Sequence, residues 1–284
     1  MSSNIPVPGS TTLSPQRMVD LDRYPILDLD GAGRRLATDC RRQLDEVGAC
    51  ELPGFLRPQA VDACVAEAEA LATVRYTTEG WGPAYLEIPD FALPEDHPRR
   101  ILGRSAVGVV AYDQFPEHSL LRRLYEWDPL MEFIAAALAK PKLYRYADPL
   151  GALNLAVMGD GDELAWHFDQ TDFVTSIALQ PSAAGGEFEF APLVRSATDE
   201  NYPAVAGILR GGSELVRKIP MTPGTLLLFQ GRYSIHRVTP VAGERTRHVA
   251  LLAYDTKPGT CASELLQTVR YGRTARPHPA ASCA

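Results

Sequence analysis

The residues Trp166-His167-Phe168-Asp169-Gln170-Thr171-Asp172-Phe173-Val174-Thr175-Ser176-Ile177-Ala178-Leu179-Gln180 pass from two metal-ligating side-chain types into a β-branched, alternating run. In extended backbone, residues two apart leave the same face. His167 and Asp169 are therefore expected at the opening of a strand, with both side chains turned toward one ion. Gly159-Asp160-Gly161-Asp162 is a turn just before this stretch, and Ala183-Ala184-Gly185-Gly186 is another just after it.

Outward from there the second half of the chain keeps the same style. Strands are predicted near 143–146, 152–158, 173–179, 187–190, 214–219, 225–229, 235–241 and 248–254, with further turns at Pro223-Gly224 and Ala242-Gly243-Glu244. Short strands joined by hairpin-length links suit a two-sheet antiparallel roll of the jelly-roll or cupin-like kind.

The first half reads as support. A helix is predicted from about Gly33 to Val47, with Leu36, Cys40 and Leu44 at four-residue spacing, and a second near 59–73 with the stripe Val61, Cys64, Val65, Ala68 and Leu71. Short strand-like pieces lie near 24–29 and 50–56. Two more helices begin at His118 and at Asp128, the latter a good N-cap followed by Pro129. From Arg75 to Pro98 no period is visible, and that segment is read as wall or lid of a pocket. An extended apolar run, 101–114, follows and carries Arg104.

The predicted fold class is α+β with a mostly β core and flanking N-terminal helices. Residues 1–17 are expected to be a flexible arm, 18–274 a single domain and 275–284 a flexible tail. Within the domain, 18–140 reads as mainly helical support and 141–258 as the β-roll.

Composition narrows the function class. A chain of 284 residues, 45% hydrophobic and 22% charged, is an ordinary globular protein with room for a sizeable core. Its net charge of -7 with no long basic run argues against nucleic acid and for a small-molecule substrate. No apolar run reaches the roughly 18 residues a membrane span needs, and the start lacks signal-peptide character. The five cysteines are scattered without a CxxC pair, so neither a zinc nor a redox motif is present. They read as reduced thiols of a cytoplasmic protein. Nothing in the sequence fixes the oligomeric state.

A His-x-Asp pair alone decides nothing. Six histidines and 35 acidic residues in 284 produce roughly 0.7 such pairs by chance. Context adds weight: His236 lies 69 residues later in Gly231-Arg232-Tyr233-Ser234-Ile235-His236-Arg237-Val238, and Arg247 follows on the next strand. A purely structural account needs all four residues to be unrelated packing or surface partners. Two imidazoles and one carboxylate on one face of an ion leave its far side open, the arrangement of non-haem Fe(II) oxygenases. Zinc suits the same ligands, but no His-Glu-x-x-His helix is present. His97 and His118 are read as surface or capping residues. Arg104 is either a surface ion-pair partner or the capture point for a substrate carboxylate.

His167-Phe168-Asp169, Gly185-Gly186-Glu187-Phe188-Glu189-Phe190, Pro223-Gly224-Thr225-Leu226 and the segment from Gly231 to Val238 through Arg247 together resemble the Fe(II)/2-oxoglutarate-dependent dioxygenases. Ala147 to Asn154 and His236-Arg237-Val238-Thr239-Pro240 resemble the branch of carrier-free amino-acid halogenases and hydroxylases. The resemblance covers roughly 143–273 and implies a double-stranded β-helix.

It also implies Fe(II) held by His167, Asp169 and His236, with 2-oxoglutarate and O2 as co-substrates and decarboxylation to succinate. Arg247 is the implied anchor of 2-oxoglutarate, with Arg245 on the same strand as a rival. Halogenases of that branch carry Gly or Ala where Asp169 stands, so hydroxylation of a small substrate, a free amino acid, is expected. Desaturation, ring closure, halogenation and a non-catalytic metal-binding roll are the alternatives. Family members often place Ser or Thr two residues after the anchoring Arg. Val249 stands there, and Thr175 or Ser176 is the expected helper. Arg104, Trp166 and Gln170 are the expected substrate contacts, with Asp148 a further polar group near the substrate.

Overall fold

A computed structural model of the chain describes residues 13–275. In order along it come α1 (Pro15–Met18), α2 (Ala32–Val47), β1 (Ala49–Leu52), α3 (Pro58–Leu71), β2 (Tyr76–Pro83), β3 (Leu102–Val110), α4 (Leu120–Tyr125) and α5 (Asp128–Ala137). The second half carries β4 (Tyr144–Arg145), β5 (Leu153–Met158), β6 (Leu164–His167), β7 (Val174–Gln180), β8 (Ala184–Gly185) and β9 (Phe188–Ala191). It continues through α6 (Tyr202–Leu209), β10 (Arg217–Ile219), β11 (Leu226–Phe229), β12 (Ile235–Val238), β13 (Val241–Ala242), β14 (Arg247–Leu252), β15 (Tyr254–Asp255) and α7 (Glu264–Tyr271).

Two antiparallel sheets make the roll. The larger has the order β1-β11-β7-β14-β5-β3-β2 and the smaller β10-β9-β12-β6. The strand period of two sorts the larger sheet's side chains into two cores. Leu153, Leu155 and Val157 of β5, Ile177 and Leu179 of β7, Leu226 and Leu228 of β11, and Ala250 and Leu252 of β14 pack outward against the helices. The alternate residues, Met158, Phe229 and Arg247 among them, face the smaller sheet. Every residue of β5 is buried because both its faces are covered. Helix α2 joins the outer core through Gly33, Ala37, Cys40 and Leu44, then stops at Gly48, whose positive φ suits the left-handed cap.

The double-stranded β-helix is thus present, but its strands do not all come from the second half. β1, β2 and β3 belong to the larger sheet, so 18–140 is more than helical support. The eight residues of β2 pair fully with β3. Their Gly80, Gly82 and Pro83 hide the pattern in sequence and are tolerated because β2 is an edge strand. Residues 24–29 form turns, not a strand. Helices α6 and α7 were not foreseen. Of the expected arm, residues 1–12 lie outside the described residues, and Pro15 near its end is buried in α1. Residues 276–284 of the expected tail lie outside them as well.

Cys40, Cys50 and Cys64 are buried free thiols, whereas Cys261 is disulfide-bonded. Among the described residues no helix is long and apolar enough to cross a membrane.

Candidate metal centre

Strand pairing brings the two histidines together. His236 on β12 is the cross-strand partner of His167 on β6, so their side chains leave neighbouring strands side by side, with ring centroids 4.2 Å apart. His167 closes its strand and does not open one, as the sequence suggested. Asp169 lies two residues beyond it, in the link to β7. Its amide donates to the Gly231 carbonyl (3.0 Å), which ties this link to the turn between β11 and β12. The carboxylate then comes within 3.9 Å of His167 Nε2 and 3.6 Å of His236 Nε2. One ligand atom from each of the three residues fits within 4.8 Å of the others, the only such group among the described residues.

The donor set suits a divalent ion. His167 Nδ1 faces the Ala165 carbonyl at 2.8 Å, and His236 Nδ1 faces the Ser234 carbonyl at 3.0 Å. A carbonyl only accepts, so each Nδ1 carries the proton and each Nε2 keeps a lone pair toward the centre. Burial, then the neighbouring His236, pushes the His167 pKa down to about 4, with Asp169 opposing, which keeps the imidazole neutral and able to ligate. Asp169 Oδ2 is buried without any hydrogen-bond partner. A buried carboxylate oxygen left bare in this way is costly unless a cation meets it. Gly231 completes the fit, because a Cβ there would run into the Asp169 carboxylate.

Arg247 lies on the inner face of β14 and is 4% exposed. Its Nε donates to the Gly186 carbonyl (2.9 Å), and its two terminal nitrogens meet only the sulfurs of Met158 (3.8 Å) and Met221 (3.1 Å). Among the described residues no carboxylate pairs with it, and burial holds its pKa down to about 10. Gly186 has a positive φ, and its missing side chain leaves room for Arg247 Cδ. The rival Arg245 is exposed and donates to the Ser182 carbonyl. Thr175 shares the face of Ile177 toward the helices, so it cannot assist Arg247. Ser176 is on the inner face.

The expected substrate contacts fare differently. Arg104 is engaged by Glu79 through Nε (2.8 Å) and by Glu163 and the Gly161 carbonyl through one terminal nitrogen (3.0 Å each), the surface ion-pair role that was its alternative reading. Trp166 turns to the outside of the smaller sheet, beneath Arg237 at 4.8 Å, between two surface hollows of about 180 and 260 Å³. Neither hollow touches the three ligands. Gln170 Nε2 donates to the Leu86 carbonyl (3.3 Å). Asp148 is wholly buried and accepts from Leu150 N, Gly151 N, Ala262 N and Gln267 Nε2, a structural role.

The aperiodic segment after β2 packs on the ligand-bearing strand. Phe168 N donates to the Ala84 carbonyl (2.8 Å), and the Tyr85 ring rests 5.2 Å from Phe168, with Arg99 and Arg195 over its faces. Tyr85 was not singled out from the sequence, where nothing distinguishes it from its aromatic neighbours.

Residues 33–268 match the family described as HalD, Halogenase D. No curated protein matches the chain in sequence. Several solved structures share its fold at low identity. AviO1 from Streptomyces viridochromogenes Tue57 is 18% identical, over 78% of this chain and 95% of that one, with a TM-score of 0.54. The epimerase SnoN from nogalamycin biosynthesis, in complex with Fe3+, alpha ketoglutarate and nogalamycin RO, is 16% identical over 86% and 96%, with a TM-score of 0.53. A prolyl hydroxylase from Trichoplax adhaerens, bound to a peptide fragment of hypoxia inducible factor, is 17% identical over 78% and 90%, with a TM-score of 0.52.

Proposed function

The chain belongs to the halogenase D family, and from that premise we propose that it is an Fe(II)/2-oxoglutarate-dependent oxygenase that hydroxylates an unactivated C–H bond of a small substrate, a free amino acid. The observation that carries this reading is the pairing of a three-ligand cluster, His167, Asp169 and His236, with a buried guanidinium, Arg247, that has no anion of its own. When bound, the iron supplies the oxidation chemistry, coupled to decarboxylation of 2-oxoglutarate to succinate.

The chain supplies placement. The two Nε2 atoms and the Asp169 carboxylate present three donors from one side. Arg247 offers a planar, two-pronged partner for the distal carboxylate of 2-oxoglutarate, in an interior where such a pair is strong. Its sulfur contacts hold the guanidinium in position without neutralising it. Phe188 and Phe229 pack around His236 (5.5 and 4.9 Å between ring centroids) and keep water from its ring.

Family membership alone would favour halogenation, and Asp169 argues otherwise. Its carboxylate would take the place that a halide would need, and the absence of a side chain at Gly231 leaves room for it. SnoN is an epimerase, so one fold accommodates more than one outcome. Product mass discriminates among them.

The test is a panel of free amino acids incubated with the protein, Fe(II), 2-oxoglutarate and O2. Substrate-dependent succinate with a product 16 mass units heavier, the increment of one oxygen atom and about what a single C–H hydroxylation gives, is the expected result. A chlorinated product in the presence of chloride would transfer the protein to the halogenase reading. Absence of succinate under every condition would remove the oxygenase reading.

A further inference from the structure

The two segments that supply the ligands also meet behind them. His167 and Asp169 flank Phe168, whose side chain leaves the opposite face of the chain and is buried outside the smaller sheet with Ala84, Ala191 and Ile235. The guanidinium of Arg195, in the link between β9 and α6, lies over the Phe168 ring, 3.9 Å from its centroid. The Arg195 side chain is 13% exposed.

The same link is stitched to the turn before β12. Leu193 N donates to Ser234 Oγ (3.0 Å), Arg195 N to the Tyr233 carbonyl (3.3 Å) and Arg195 Nε to the Arg232 carbonyl (2.7 Å). That turn governs the rest of the site: its Gly231 carbonyl accepts from Asp169 N, and its Ser234 carbonyl accepts from His236 Nδ1. Arg195 thus touches both ligand-bearing segments with one side chain. Its planar face rests on the ring between His167 and Asp169, and its Nε is tied to the turn that leads to His236.

Glu200 meets the charge of Arg195 at 2.9 Å, so the pair brings little net charge toward the site. What Arg195 offers Phe168 is a flat, rigid plate. Tyr85 packs against both, 5.2 Å from the Phe168 ring and 5.3 Å from the Arg195 guanidinium. Arg99 lies one layer further out, against Tyr85 and Tyr202. A ring clamped in this way resists any swing of the backbone at 168, which would tilt the side chains at 167 and 169 together.

We propose that Arg195 is a positioning residue of the metal centre: by clamping Phe168 to the 232–234 turn, it fixes the bite of His167 and Asp169 relative to His236. This rests on the metal-centre reading and adds to it a residue that no ligand motif marks.

The test is anaerobic titration of the full chain with Fe(II), and with Co(II), whose visible absorption reports coordination geometry. Arg195→Met keeps a long apolar stem but loses the plate, and it should weaken Fe(II) roughly 10- to 100-fold and alter the Co(II) spectrum. Phe168→Leu keeps the position apolar while removing the ring, and its loss should be about the same. Both remove one contact, so the double variant should bind no more than about threefold more weakly than the weaker single variant. Arg195→Lys keeps a charge opposite Glu200 without the plate and should stay at least about fivefold weaker than the wild type. Arg99→Gln, one layer out, should stay within about threefold of the wild type. The proposal is overturned if Arg195→Met or Phe168→Leu binds Fe(II) like the wild type, or if the two single losses multiply in the double variant. It is equally overturned if Arg195→Lys restores wild-type affinity, or if Arg99→Gln loses as much as Arg195→Met. The Phe168→Leu arm decides alone where Arg195→Met does not fold. Failure of the metal-centre reading has a different signature, which is wild-type protein that binds neither ion.

Discussion

Three side chains and one glycine decide the chemistry at the scale of single residues. Gly231 is never a ligand, yet its missing Cβ leaves the space in which the Asp169 carboxylate sits. Gly231→Ala is expected to weaken Fe(II) binding at least about tenfold by displacing that carboxylate, with the fold intact. Equilibrium dialysis against Fe(II) checks it, and unchanged affinity would mean that Asp169 does not need this position. Arg247 and Arg245 separate as cleanly. Arg247→Gln should raise the 2-oxoglutarate Kd by roughly 100-fold, whereas Arg245→Gln should change it less than about threefold, since only the former is buried without an anion. The three candidate ligands were legible in sequence because a His-x-Asp pair and a later His, in a chain with only six histidines, stand beside patterned strands. The partners of Arg104 were not. Glu79 and Glu163 lie far from it in the chain, and only the β2–β3 register and the β3–β6 crossing bring them together.

At the scale of elements, the β6–β12 register holds the site, and α7 is clasped to the larger sheet through Asp148 and Asn154. Asp148 is the centre of that clasp, with four hydrogen-bond donors on a wholly buried carboxylate. Asp148→Ala should cost about 2–3 kcal/mol and accelerate amide exchange across 264–271 at least about tenfold, while β7 and β14 exchange as before. Exchange that rises equally in all three elements would place Asp148 in the global core instead. The strands with β-branched or alternating residues were readable, as β5, β7, β11 and β14 show. What escaped reading had physical reasons. β2 carries glycines that an edge strand tolerates, and α6 is short, with Tyr202 and Pro203 opening it after Asn201. α7 is a short helix whose sequence marks are only its ends, Ser263-Glu264 and Gly272, and its value lies in long-range contacts.

The whole molecule is a roll braced on one side by helices, and burial in that bracing layer gives it an acid limit. His248 is 1% exposed on the helix side of β14, and burial, then Arg75, lowers its pKa to about 4. The folded protein refuses a proton that the unfolded chain accepts below about pH 6.5. His248 therefore costs no stability above that pH. Between about 6.5 and 4 it removes stability progressively, up to about 3 kcal/mol. Urea unfolding at pH 7 and pH 4.5 should show a smaller acid loss in His248→Gln than in the wild type, and equal losses would reassign the acid limb to other groups.

The central claim is that three side chains from two separate segments hold a single iron. Anaerobic Fe(II) titration with metal analysis measures this most directly. One Fe(II) per chain in the wild type, lost or weakened at least about 100-fold in both Asp169→Ala and His236→Ala, is the predicted result. One tightly bound Fe(II) per chain in either variant would contradict it.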